Sequence, residues 1–202
     1  GSARACCSGG TVEDTIGALL ERDFQGLHEF TRMTGDLVAA IRKCRRPVIA
    51  ALNGTVAGAG AVIAAACDLR VASESAKIAY LFVKVGLSGA DMGASWLLPR
   101  IVGHGRASEL LMTGDFIDAR EAHRIGLYNR AVADGPAAVA EATALAAKLA
   151  KGPSFGLAVT KQSLDREWSM DIDSAFDWEV TIQPACMLDP DFREAYDAFT
   201  AK

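Results

Sequence analysis

Residues able to do chemistry fall in three places in this chain: the run CSGG at 7–10, the stretch NGTVAGAGAVIAAACD at 53–68, and Asp91. The second follows an apolar, strand-like run at 47–52 and opens an apolar helix, so strand, turn and helix start lie in one line. Its glycines at 54, 58 and 60 let the backbone turn tightly and approach a ligand closely. The first N–H groups of a helix have no intrahelical acceptor and suit an anion or a developing oxyanion. Taken alone, the stretch reads first as a turn that packs a helix on a sheet and second as a chemical site. Asp91 is also double. It stands where a helix N-cap belongs, ahead of a run carrying Trp96, Leu97 and Ile101, and it is the right residue type for an acid or base facing a ligand.

Other chemistries find little footing. The histidines at 28, 104 and 123 sit in different segments without metal-ligand spacing, so no metal site is expected. The five cysteines, at 6, 7, 44, 67 and 186, form no CxxC pair and read as reduced thiols of a cytosol-like, cytoplasmic compartment. A net charge of −4, with 23% of residues charged and half hydrophobic, describes a globular protein without a basic footprint for nucleic acid. No apolar run reaches membrane-spanning length and the first residues do not form a signal peptide; Gly1-Ser2 is read as a cloning remnant.

The elements that must hold these residues follow from patterning. Residues 11–17 read as a loop or short helix start. Leu37, Val38 and Ile41 mark a helix that ends in the cations at 43–46 and is stopped by Pro47. The run at 47–52 is a strand covered on both faces, and 68–72 (DLRVA) a second one beyond the helix at 58–66, which makes a parallel βαβ unit with the turn after Leu52 at a strand's carboxyl end. The segment 77–88 is apolar and irregular. A helix over 108–112 ends at Gly114, Asp118 and Glu121 form a capping box for a helix that stops at Gly126, and 127–132 is a short strand. Beyond it the alanine-rich composition predicts helices at 136–150, 153–168, 172–187 and 190–200. Pro184 should kink or end the third, and Asp189-Pro190 should open the fourth. Leu157, Thr160, Leu164 and Trp168 share one face, at core or interface spacing.

With these pieces in order, the chain from Cys6 to Lys202 resembles the crotonase, or enoyl-CoA hydratase/isomerase, superfamily. The blocks are CSGG at 7–10, RPVIAALNGTVAGAGAVIAAACDLRVAS at 46–73, KVGLSGADMGASWLLPRIVG at 84–103 and ELLMTGDFIDAREAHRIGLYNRAV at 109–132. The resemblance implies an α/β fold with a crotonase-like ββα superhelix core over 1–135 and a C-terminal helical region over 136–202 that serves oligomerisation, as a homo-trimer or homo-hexamer. It also implies that opening strands and a helix found in relatives are missing ahead of the CSGG block.

The activity implied is that of an acyl-CoA thioester enzyme, with coenzyme A as part of the substrate, no tightly bound cofactor, and no nucleic-acid or membrane partner. Its oxyanion donors would be the backbone N–H groups of Ser8 and Ala59, the latter replacing the usual glycine. The two positions where hydratases carry glutamates hold Val62 and Phe82. Asp91 matches the working aspartate of dienoyl-CoA isomerases and some CoA-thioester dehalogenases, whose histidine falls on Ala39. The resemblance therefore implies an enolate-stabilising enzyme with Asp91 as acid/base and Val62, Phe82 and Met92 as candidates for the substrate pocket. The alternatives are a catalytically silent acyl-CoA-binding or assembly protein, and hydrolysis or dehalogenation through a nucleophilic Asp91. Lys161 and Arg193 are weak candidates for phosphate contacts and are read first as solvated surface charge.

Overall fold

A computed structural model describes residues 5–10 and 15–201, so Gly1, Ser2 and the greater part of the anticipated 11–17 turn lie outside the described residues. Two compact units divide the chain. One comprises Gly1–Arg42 and Val48–Ala144, the other Lys43–Pro47 and Leu145–Lys202.

The first unit holds two sheets. In the three-stranded sheet, β2 (Ile49–Leu52), β4 (Leu69–Ser73) and β7 (Arg130–Val132) run parallel in the order β2-β4-β7, with Ile49 opposite Leu69 and Leu52 opposite Ala72. The uninterrupted apolar letters of β2 and β4 fit strands buried on both faces. The other sheet has the order β1-β3-β5-β6, built from Ala5–Cys7, Thr55–Ala57, Lys77–Ala79 and Ile117–Asp118. Here β1, β3 and β5 are parallel and β6 is antiparallel. Successive strands from β1 to β5 alternate between the two sheets, so the backbone winds as a superhelix.

The anticipated parallel pair joined by a helix is present: α3 (Ala59–Ala66) connects the β2 and β4 regions. Within the glycine turn, however, lies strand β3, where the sequence pattern predicts only a turn. Three residues between Gly54 and Gly58 are too few to display a period of two. Val56 is nevertheless buried, and β3 pairs with a strand on either side. The segment read as irregular likewise contains β5 and a 3-10 turn, Leu81–Val85, closed by Gly86 in the left-handed region.

Around these strands stand α1 (Gly17–Leu20), α2 (Phe24–Lys43), α4 (Ala94–Val102), α5 (His104–Thr113), α6 (Ala119–Arg124) and α7 (Gly135–Ala150), within which the chain passes to the second unit. Half of the capping box is realised: the Asp118 carboxylate accepts from Glu121 N–H at 2.8 Å, while the Glu121 carboxylate accepts from Arg124. Gly114 closes α5 in the left-handed region.

The core holds Ile78, Tyr80, Leu98, Leu127 and Tyr128 together with the alanines of α3. Two arginines secure the C-terminal end of α3. Arg42 Nη1 donates to Ala66 O at 3.0 Å and to Asp68 Oδ1 at 3.1 Å, while Asp68 Oδ2 accepts from Val48 N–H at 2.7 Å. Arg70, 5% exposed, donates to Cys67 O at 2.5 Å and Leu127 O at 2.6 Å, and its reach extends to Ala65 O at 3.4 Å. Burial holds its guanidinium below the usual arginine value, and burial pushes the Tyr80 and Tyr128 phenols up.

The second unit contains α8 (Ser154–Arg166), α9 (Ile172–Leu188) and α10 (Pro190–Thr200). The Asp189 carboxylate accepts from Asp191 N–H at 3.1 Å and opens α10 as anticipated. Pro184 does not end its helix. It removes one N–H donor, yet α9 runs on to Leu188. Trp178 Nε1 donates to Ser163 Oγ at 2.7 Å, and Arg166 stacks on the Trp178 ring at 4.0 Å. Lys161 is buried, with Nζ donating to Arg46 O at 3.3 Å, which overturns its reading as solvated charge; Arg193 is exposed and pairs with Asp197. Among the described residues no helix is long and apolar enough to cross a membrane.

Two substitutions test this packing. Arg70→Met should lower the free energy of unfolding in urea by about 3 kcal/mol, because buried carbonyls at the end of α3 lose their donor; a loss below about 1 kcal/mol would contradict that role. Gly60→Ala should cost about 2 kcal/mol in the same assay by driving a methyl into Cys7, and an unchanged midpoint would show that β1 and α3 are not held in contact.

Candidate active site

Strands β1 and β3 are parallel neighbours, so both deliver their carboxyl ends to the same edge of the sheet, where ligands of such sheets bind. Past β1 come Ser8 and Gly9, and past β3 come Gly58 and Ala59. Gly9 has φ of 80°, and a Cβ there would stand 3.1 Å from Ala59 N. The two strand ends therefore touch at backbone level.

The start of α3 is set by Gly58, at φ 54° and ψ −127°, a conformation closed to other residues. Its N–H donates to Ala79 O at 3.0 Å, and its carbonyl accepts from Ala61 N–H at 3.0 Å and Val62 N–H at 3.3 Å. The helix thus begins with the N–H groups of Ala59 and Gly60 lacking intrahelical acceptors. Alanine is accommodated at 59 because the demands for glycine fall on its neighbours: Gly58 needs the positive φ, and a Cβ on Gly60 would collide with the Cys7 carbonyl and side chain.

Ser8, Gly58, Ala59, Phe82, Asp91 and Met92 all line one cavity of about 170 Å³. Of the sequence's candidates, Val62 is the exception: it is fully buried in the core and is not among the lining residues. Further walls went unrecognised in the sequence, among them Phe30 and Thr34 of α2 and Leu81 and Val85 of the 3-10 turn. A signal existed for the first pair, because Phe30, Thr34, Val38 and Ile41 fall on one helical stripe. No comparable pattern marked Leu81 or Val85.

Asp91 is the sole ionisable side chain among the described lining residues. It is not the N-cap of α4. That position belongs to Gly93, at φ 86° and without a side-chain cap, because the turn before the helix is closed by backbone, with Ala94 N–H donating to Asp91 O at 2.8 Å. The Asp91 carboxylate instead accepts through Oδ1 from Met92 N–H at 2.8 Å. This carboxylate caps no helix and lines the cavity that the N-terminus of α3 also lines.

A larger groove, about 550 Å³, lies in the helical unit and is lined by Leu157, Leu164, Glu167, Glu179, Cys186 and Phe192 among others. It carries none of the glycine turns, so the smaller cavity is the better chemical candidate. Among the described residues no cluster of three or more histidine, cysteine or acidic side chains could hold a metal ion.

Known proteins resemble this chain in sequence and fold. The chain is 39% identical over 171 residues to 1,2-epoxyphenylacetyl-CoA isomerase of Escherichia coli K12, a span that is 85% of this chain and 64% of the relative's length. It also matches the crystal structure of a Streptomyces coelicolor A3(2) protein provisionally designated an enoyl-CoA hydratase, with 48% identity and a TM-score of 0.95 over 98% of this chain and 72% of the other. An enoyl-CoA hydratase from Polaromonas sp. JS666 superposes with a TM-score of 0.93 at 31% identity, over all of this chain and 77% of that one. The fold is thus the crotonase fold that the sequence blocks implied. Because the enoyl-CoA hydratase/isomerase family also matches residues 1–202 end to end, this chain belongs to that family.

Proposed function

We propose that the cavity binds the thioester end of an acyl-CoA, that the Ser8 and Ala59 N–H groups donate to its carbonyl oxygen, and that Asp91 moves a proton while the enolate exists. Carbonyl oxygen gains charge as a C–H proton leaves, so donors already aimed at it stabilise the transition state more than the ground state. Each such donor contributes about 3 to 4 kcal/mol in well-characterised oxyanion holes. Apolar walls at Phe30, Leu81 and Phe82 exclude water and strengthen those hydrogen bonds.

The reaction we favour is isomerisation, and the presence of a single ionisable lining residue is the observation that carries it. Asp91 would take a proton from carbon, the electron pair would pass into the thioester carbonyl, and the resulting carboxylic acid would return the proton at another carbon. One carboxylate suffices because nothing is added or lost. Hydration by a pair of carboxylates needs a second acid or base, and Val62 and Phe82 supply none. The name of the Escherichia coli relative, an isomerase of a CoA thioester, agrees with this choice. The cavity is smaller than the roughly 300 Å³ at which drug-sized pockets begin, which fits a short acyl group with the rest of coenzyme A outside.

The same observation gives the second reading some weight, since a protein that only binds acyl-CoA needs no second carboxylate. Turnover of a short β,γ-unsaturated CoA thioester to its α,β isomer, followed by ultraviolet absorbance, separates the two. We expect conversion, and a fall in kcat of about a hundredfold or more in Asp91→Asn. Calorimetric binding without any product, or an Asp91→Asn rate equal to wild type, would remove the proposed mechanism.

A further inference from the structure

Among the described residues, Met92 is the sole non-glycine residue with a positive φ, at 50°. A Cβ in that region crowds the following carbonyl oxygen, so the conformation persists only where the surroundings impose it. Two observations show what imposes it. The Met92 side chain is 7% exposed and packs into the main core cluster, and the Met92 N–H donates to Asp91 Oδ1 at 2.8 Å. Gly93, next in the chain, is left-handed as well, and the turn closes with Ala94 N–H on Asp91 O. Glycine would adopt this backbone without strain; a methionine there adds a buried anchor.

We propose that Met92 is a positioning residue for Asp91. With Gly93, its left-handed backbone closes the turn from Ala94 N–H to Asp91 O, and that turn holds the 91–92 peptide whose N–H Oδ1 accepts; this fixes the plane of the carboxylate and leaves Oδ2 as the oxygen that exchanges a proton. Its buried side chain keeps the turn from relaxing. This inference rests on the reading of Asp91 as the proton carrier.

Two substitutions separate the backbone role from ordinary core packing. Met92→Gly keeps the left-handed conformation accessible and loses the anchor. Met92→Ile keeps apolar bulk on a β-branched residue that the left-handed region excludes. With the short β,γ-unsaturated CoA thioester as probe, Met92→Ile should lose about a hundredfold in kcat, with KM within about threefold of wild type. Met92→Gly should melt at the lower temperature of the two and yet keep the higher kcat. If kcat follows melting temperature instead, so that Met92→Ile is the more active, Met92 is a packing residue and the proposal fails.

A readout that needs no turnover distinguishes this failure from failure of the proposed function. The residue-92 amide proton, observed by NMR, should lie downfield in wild type and in Met92→Gly, and should move upfield in Met92→Ile and in Asp91→Asn. An active Asp91→Asn enzyme would sink the proton-transfer reading. Equal amide shifts in the Gly and Ile variants would sink the positioning role, whatever the enzyme's activity.

Discussion

The approach of Gly60 to Cys7 is the constraint on which the site depends. A Cβ at position 60 would occupy space taken by the Cys7 carbonyl and side chain, so the first turn of α3 lies directly against the end of β1. That contact draws Ser8 and Gly9 beside the amide of Ala59, and Gly58 supplies the backbone angle that lets the helix start there. The proposed oxyanion chemistry needs two N–H groups from distant parts of the chain at one point. The backbone segments that carry them meet because glycines at 9 and 60 leave room for the approach.

Precision at the N-terminal end of α3 also needs the other end held. Arg42 and Arg70 meet the last carbonyls of the helix, where cations suit the dipole. Arg42 is tied to Asp68, and Asp68 to the Val48 amide just ahead of β2. Neither arginine lines the cavity, but both limit how far the helix can shift. Donors that need no rearrangement when charge develops are the ones that accelerate a reaction, so this scaffold belongs to the chemical account.

What could be read from the sequence was whatever depends on local rules. The Asp118 cap, the Asp189-Pro190 helix opening and the parallel pairing of two apolar runs follow from short-range sterics and periodicity, and they stand. Strand β3 escaped because three residues between glycines carry no period, and only pairing on both sides makes them a strand. Pro184 does not end its helix, because one lost hydrogen bond does not overcome the rest of a seventeen-residue helix. Asp91 shows the limit most plainly: the residue type and the helix behind it allowed a cap or a catalyst. The cap is removed by a turn that puts Gly93 at the N-cap of α4, with Met92 left-handed and packed in the core. The inward face of Val62 is equally a tertiary fact, since on the sequence it lies on the same apolar helix as Ala59.

The central claim is that two backbone amides and one carboxylate generate a thioester enolate. Deuterium exchange at the α-carbon of a saturated short-chain acyl-CoA, followed by NMR in heavy water, tests it without any double bond to move or water to add. The account predicts exchange at that carbon, catalysed by the protein and dependent on the Asp91 carboxylate. Tight binding of the same acyl-CoA with exchange no faster than in buffer would contradict it.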